Sequence, residues 1–230
     1  MNSTDDFYNF ECMYYDSLYG GFREDVDFYN AIGVRSPVLE IFAGTGRIIS
    51  RFENGIGLER NLRMLMKGEN KFIKVQGDAR KLPFKSVFNT VIVGLNSFLL
   101  LPDEEKQGML GEVRSVIVKG GILFIDVING FSLNRGTYNV THFKGTEIEI
   151  SLKMKAKREG DKYLLRYYYS IKKPEKMKVL NTITIYPTSY YGLRSMLHSK
   201  GFDVEKVFGD YDLSPFKENS EKMIIKARAV

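Results

Sequence analysis

Val38-Leu39-Glu40-Ile41-Phe42-Ala43-Gly44-Thr45-Gly46-Arg47 is the stretch that decides the fold. Four apolar residues around a single carboxylate lead into a glycine-rich turn, and a helical pattern is expected over 46–52. The run up to Phe42 reads as the end of a buried parallel strand, while Gly44 and Gly46 allow a tight turn and close approach of a ligand to the backbone. A nucleotide-like molecule suits such a turn. The next apolar run, Ile56-Gly57-Leu58, ends in Glu59, 19 residues beyond Glu40, where a carboxylate can accept hydrogen bonds from ribose hydroxyls. The spacing is Glu-x-Phe-x-Gly-x-Gly rather than the G-x-G-x-x-G that holds a pyrophosphate. An acid just ahead of the turn repels phosphate and favours an ammonium or a hydroxyl.

Apolar strands alternate with helical patterns on both sides of this turn. Strands are expected at 37–42, 55–59, 72–76, 88–94 and 121–127, with helices at 61–67 and 103–116 between them, the arrangement of a parallel sheet covered on both faces. Ahead of it, residues 8–32 hold aromatic positions in an acidic background and predict one or two helices. Beyond Asn129 the period changes to two. Ile148, Ile150, Leu152, Met154 and Ala156 alternate with Glu147, Glu149, Ser151, Lys153, Lys155 and Lys157, which is a strand with one wet face. Turns at Glu159-Gly160-Asp161-Lys162 and Lys172-Lys173-Pro174-Glu175 make this a three-stranded antiparallel meander, whose apolar face must cover either the cleft or another subunit. A helix at 189–199 and two strands at 202–208 and 222–229 complete the chain.

Five segments in this order resemble the class I S-adenosylmethionine-dependent methyltransferases: the glycine turn, Gly57-Leu58-Glu59, the run from Gly77 to Phe84, the strand 89–94, and the run from Val118 to Asp126. The resemblance is close over roughly residues 30–128, and Phe42 stands where the family's motif carries its first glycine. It implies a seven-stranded Rossmann-like α/β sheet with helices on both faces and an antiparallel β insert. The chain then divides into an N-terminal helical lid segment (1–35), a cofactor-binding core (36–129), the insert (130–187) and the C-terminal part of the core (188–230). The implied cofactor is S-adenosyl-L-methionine, held by Glu40, the turn Phe42, Ala43, Gly44 and Gly46, Glu59 with Arg60, Asp78 and Ala79 at the adenine, and Asn96 after the fourth strand. In the family the acid matching Asp78 faces the adenine amino group, and the next backbone amide meets the ring.

The acceptor side is less defined. Tyr14, Tyr15, Tyr19, Arg23 and Tyr29 either form a lid whose aromatic faces attract the sulfonium or pack ordinary helices. Tyr19, Arg23 and Ser97 are the candidate substrate contacts, Arg23 for an acceptor carboxylate. Tyr14, Tyr15 and His142 are the candidate acid-base groups, although His142 also reads as a surface-loop residue. The overall arrangement resembles small-molecule methyltransferases of the glycine and sugar-amine N-methyltransferase type, so the expected reaction is methyl transfer to nitrogen, oxygen or carbon of a small acceptor.

Composition narrows the alternatives. A single cysteine, Cys12, leaves no intrachain disulfide or thiolate cluster, and His142 and His198 offer no zinc spacing, so no metal is expected. No apolar run is long enough to span a bilayer and the N-terminus is acidic, so a cytoplasmic protein without membrane association is expected. The net charge of +6 is uneven: residues 1–35 hold seven acids and two bases, whereas 130–186 hold twelve Lys and Arg against five acids. That basic insert motivates an RNA methyltransferase as the alternative enzyme, although no Asn-Pro-Pro-Tyr motif follows the fourth strand. The insert is also where copies of the chain are expected to associate. The non-enzyme alternative is a binding or assembly protein that kept the core, with Phe42 as its best argument.

Overall fold

The computed structural model describes residues 4–68, 71–133 and 137–230. Three short helices, α1 (Thr4–Glu11), α2 (Tyr15–Tyr19) and α3 (Glu24–Ala31), precede the sheet. The core follows as β1 (Val38–Ile41), β2 (Ile56–Glu59), α4 (Leu62–Lys67), β3 (Ile73–Gln76), β4 (Phe88–Val93), α5 (Asp103–Val116) and β5 (Ile117–Ile128). A short helix α6 (Gly130–Leu133) opens the insert, whose strands are β6 (Thr137–Lys144), β7 (Glu149–Glu159), β8 (Lys162–Lys173) and β9 (Met177–Ile185). Helix α7 (Tyr190–Ser199) and strands β10 (Phe202–Phe208) and β11 (Lys222–Ala229) close the chain.

The main sheet has the order β10-β11-β5-β4-β1-β2-β3. Neighbours from β3 to β5 pair in parallel, and β11 runs antiparallel to both β5 and β10. Every residue of β1 is buried because the strand lies between β2 and β4 with both faces covered. Strand order reverses beside β1, so the carboxyl ends of β1 and β4 open onto the crevice where doubly wound sheets bind ligands.

Local sequence explains the helix boundaries. The Asn61 side chain accepts the Met64 amide at 3.1 Å and starts α4, while Ser189 accepts the Gly192 amide at 3.1 Å and starts α7. Helix α5 begins after Pro102 with three acids in its first turn, matched to the positive end of the helix dipole.

Two expectations are corrected. The segment 46–52 forms only a 3-10 turn at Ile49–Arg51 rather than a helix. It is confined between left-handed backbone at Gly46 (φ 78°) and Asn54 (φ 54°), and the β-branched pair Ile48 and Ile49 weakens helix formation in so short a run. The insert has four strands, not three, because β6 adds to the edge of β7; its run Asn139 to His142 lacks the clean alternation that marks β7.

The insert lays its apolar face over the main sheet's crevice. Met154, Leu165, Ile183 and Ile185 join the core cluster that runs through β1, β4 and β5, whereas Ile150, Leu152, Tyr169 and Ile171 pack with Leu18 of α2. Its far end is fastened by the buried Lys106 of α5, whose Nζ donates to the Tyr186 carbonyl at 2.6 Å and to Asp103 at 2.8 Å. Among the described residues no helix is long and apolar enough to cross a membrane.

Candidate active site

Between the sheet's carboxyl edge and the insert lies a cavity of about 290 Å³. Its floor comes from Phe42, Ala43 and Gly44 of the glycine turn, with Glu40 below, Glu59 to one side, and Gly94, Leu95, Asn96 and Ser97 after β4. Its roof comes from α1 and α2 through Phe7, Tyr8, Glu11, Tyr15 and Tyr19, and from the insert through Met154, Leu165, Tyr167, Ile183 and Ile185.

The floor is held by its own hydrogen bonds. Glu40 is buried and accepts the Ile49 amide at 2.9 Å; burial pushes its carboxyl up to about 8, against that hydrogen bond and the nearby Arg47. Glu59 accepts the Gly44 amide through Oε2 at 3.0 Å and the Asn61 amide through Oε1 at 2.7 Å. Both oxygens are thereby fixed at the edge of the cavity. Burial still raises the Glu59 carboxyl above its ordinary value. Asn96 sits in left-handed backbone (φ 67°) and accepts the Ile128 amide through Oδ1, while Nδ2 of its amide donates to no described residue.

Left-handed backbone also explains the unusual Phe42. Its φ is 62°, a region suited to glycine and costing an L-residue about 1–2 kcal/mol. The turn keeps its shape with a phenyl ring in place, and that ring becomes cavity wall.

The N-terminal helices are tied to the floor by polar contacts. Arg47 forms a buried two-pronged ion pair with Asp25 and donates to the Phe22 carbonyl at 2.7 Å. Thr45 donates to Asp16 at 3.0 Å. Arg47 Nε, Tyr29 Oη and Asp126 Oδ1 are buried without a hydrogen-bond partner. Of these residues Arg47 lines the cavity, so its Nε is a donor with capacity left for a polar ligand.

No protein-family model matches the chain. It is 25% identical over 155 residues to the cypemycin N-terminal methyltransferase of a Streptomyces species, an alignment covering 66% of this chain and 62% of that protein. The chain thus spans less than two thirds of that relative's length. A crystal structure of an S-adenosylmethionine-dependent methyltransferase from Clostridium acetobutylicum superposes with a TM-score of 0.79 at 15% identity, over 96% of this chain and 98% of the other. The sugar N-methyltransferase KedS8 from a Streptoalloteichus species gives 0.74 at 15% identity, over 96% and 93%. The chain has the fold of the class I S-adenosylmethionine-dependent methyltransferases.

Within this methyltransferase fold the expected site residues separate. Glu40, Phe42, Ala43, Gly44, Glu59, Asn96, Ser97, Tyr15 and Tyr19 line one cavity. Gly46 does not; a Cβ there would lie 2.0 Å from the Phe72 ring, so that glycine serves packing behind the turn. Asp78 is gripped by the Arg80 guanidinium (2.9 Å to Oδ1), which holds its carboxyl below the ordinary value. The Ala79 side chain packs into the core, and Arg60 pairs with Asp5 at 3.0 Å. Tyr14 sits outside the cavity against Phe10, Arg23 is exposed just ahead of α3, and His142 is exposed on β6 beside the outer-face groove of the insert.

Sequence reasoning passed over Glu11, Tyr8, Arg47 and Tyr167. Tyr167 and Tyr169 share one face of β8, their rings 6.3 Å apart, and Tyr168 takes the opposite face. Glu11 carried a signal in retrospect, as an acid among the aromatics of Tyr8-Asn9-Phe10-Glu11-Cys12-Met13-Tyr14-Tyr15.

Proposed function

We propose that the chain catalyses methyl transfer from S-adenosylmethionine to a nucleophilic atom of a small-molecule acceptor. The observation that carries this reading is the single cavity shared by the glycine turn and the apolar face of the insert. Bound there, the cofactor supplies an electrophilic methyl group on a sulfonium. Glu59 is the residue to hold the ribose diol, the turn at Ala43 and Gly44 lies under the nucleoside, and Glu40, Arg47 and Asn96 face its methionine end. The chain's remaining work is to align the acceptor and keep out water, which suits a site closed by apolar strands and needs no strong base for a neutral nucleophile.

The relatives support a discrete acceptor, one being named an N-terminal methyltransferase and another a sugar N-methyltransferase. The basic residues of the insert do not favour the RNA alternative: Lys153, Lys155 and Lys157 are exposed, alternating with Met154 on the cavity side. Calorimetry with S-adenosylhomocysteine tests the cofactor assignment, and a labelled-methyl assay on separated metabolite and RNA fractions tests the acceptor. Label entering the metabolite fraction is expected. Label confined to RNA excludes the small acceptor, and no measurable cofactor binding excludes the methyltransferase reading altogether.

A further inference from the structure

The roof of the cavity contains one carboxylate surrounded by phenol rings. Glu11 is 3% exposed and lines the cavity. Its Oε1 accepts the Tyr19 hydroxyl at 3.1 Å and the Tyr169 hydroxyl at 3.2 Å, so both hydroxyls converge on one oxygen. Oε2 has no partner among the described residues, and no cationic side chain there pairs with Glu11. Tyr8, Tyr15 and Tyr167 complete the wall around it. A buried carboxylate ordinarily has a cation to pair with, and aromatic faces attract cations most strongly where water is excluded.

Resting on the methyl-transfer reading of this cavity, we infer that Glu11 and the tyrosines around it form the acceptor subsite, and that the acceptor is a cationic amine seated on Glu11 Oε2. The ammonium supplies the missing counter-charge, and the phenol faces surround its apolar substituents. The same atom moves the proton that the reaction requires: an ammonium N–H passes its proton to Oε2, leaving a neutral amine with a free lone pair and a protonated carboxyl. Burial pushes the Glu11 carboxyl up to about 7, opposed by its two tyrosine hydrogen bonds, so it accepts a proton at neutral pH. The titratable groups facing it are Tyr8 on α1, Tyr15 and Tyr19 on α2, Tyr167 and Tyr169 on β8, and, across the cavity, Glu59, Glu40 and Arg47, the last already paired with Asp25. The phenols are held above their ordinary values and stay neutral.

The test is calorimetry on the full chain saturated with S-adenosylhomocysteine, titrated with cyclohexylammonium and with its neutral counterpart cyclohexanol. The ammonium is expected to bind at least tenfold tighter, and Glu11→Gln to abolish that preference while leaving S-adenosylhomocysteine affinity within twofold. Equal binding of the two probes by the unsubstituted chain overturns the inference without recourse to any variant, as does a preference that survives in Glu11→Gln. Tyr19→Phe, which removes one hydrogen bond and no charge, is expected to retain the preference; its loss there assigns selectivity to the hydroxyl and also overturns the role of the carboxylate. Failure to bind S-adenosylhomocysteine is a different result, since it defeats the methyl-transfer reading itself.

Discussion

The two walls of the cavity are built from different materials. Beneath it, the strand ends and the glycine turn present backbone held in rare conformations: Phe42, Leu95 and Asn96 all line the cavity with φ between 49° and 67°. Above it, α1, α2 and the insert present side chains on ordinary helices and strands, joined by contacts such as Tyr169 to Glu11 and Asn181 to the Phe7 carbonyl. A backbone wall can keep its shape through many changes of side chain, at a cost in strain of about 1–2 kcal/mol per residue. A side-chain wall changes its selectivity with every substitution. Under the methyl-transfer reading proposed above, the floor suits a constant ligand and the roof a variable one.

The sharpest way to break this arrangement is to cut the tie between the N-terminal helices and the floor. Asp25→Asn leaves the Arg47 guanidinium buried without its counter-charge, and removing one partner of a buried pair costs about 3–5 kcal/mol. A fall of that size in unfolding free energy by urea titration is expected; a loss below about 1 kcal/mol would show that the N-terminal helices dock independently of the glycine turn.

Acidity inside the floor gives the next effect. The Glu40 carboxyl rises from its ordinary 4.5 to about 8 in the folded chain, so the folded state binds the proton more tightly than the unfolded one. Its contribution to stability is therefore fully present below about pH 4.5 and is lost as pH rises through 8. Glu40→Gln is expected to flatten the decline in unfolding free energy between pH 5 and 8, an effect of the order of 2 kcal/mol at about 1.4 kcal/mol per pH unit after allowance for relaxation. A pH profile identical to that of the unsubstituted chain would mean that the carboxylate is already ionised and paired.

Ligand binding then separates the walls. Glu59→Gln removes the charge that fixes the Gly44 and Asn61 amides at the proposed ribose site. Hydrogen bonds to charged groups are worth about 1.5–3 kcal/mol, so S-adenosylhomocysteine affinity should fall about 10- to 100-fold by calorimetry. Glu11→Gln in the roof should leave it unchanged. Equal losses in the two variants would remove the distinction between floor and roof.

This division also governs what could be read from the sequence. The floor was legible because its constraints are local: a left-handed turn calls for glycine, a strand end places its acid, and alternation in 148–156 marks a sheet with one wet face. Even there, Gly46 was read for its effect on a ligand, when the neighbour that excludes a side chain is Phe72, 26 positions away in sequence. The roof was not legible. Glu11 meets Tyr169 across 158 residues and Phe7 meets Asn181 across 174, and no local periodicity records which acid a distant strand will bury. The same reasoning missed Arg47, whose partner Asp25 sits in a helix that reads as an ordinary acidic surface. Asp78 was placed from its position after a strand, but that position does not reveal that Arg80, two residues on, competes for the carboxylate.

The walls are joined a second time at the surface, where Arg60 of the floor meets Asp5 of α1 at 3.0 Å with side chains 47% and 55% exposed. Solvent screens such a pair, and the entropy lost in holding two long side chains offsets most of the attraction, leaving about 0–1 kcal/mol. Arg60→Ala is therefore expected to change unfolding free energy by less than about 1 kcal/mol and S-adenosylhomocysteine affinity by less than twofold. The contrast with Asp25→Asn is the informative quantity, because both substitutions cut an ion pair between an N-terminal helix and the core and differ chiefly in burial. Comparable losses from the two would mean that α1, rather than the buried pair behind it, keeps the roof over the glycine turn.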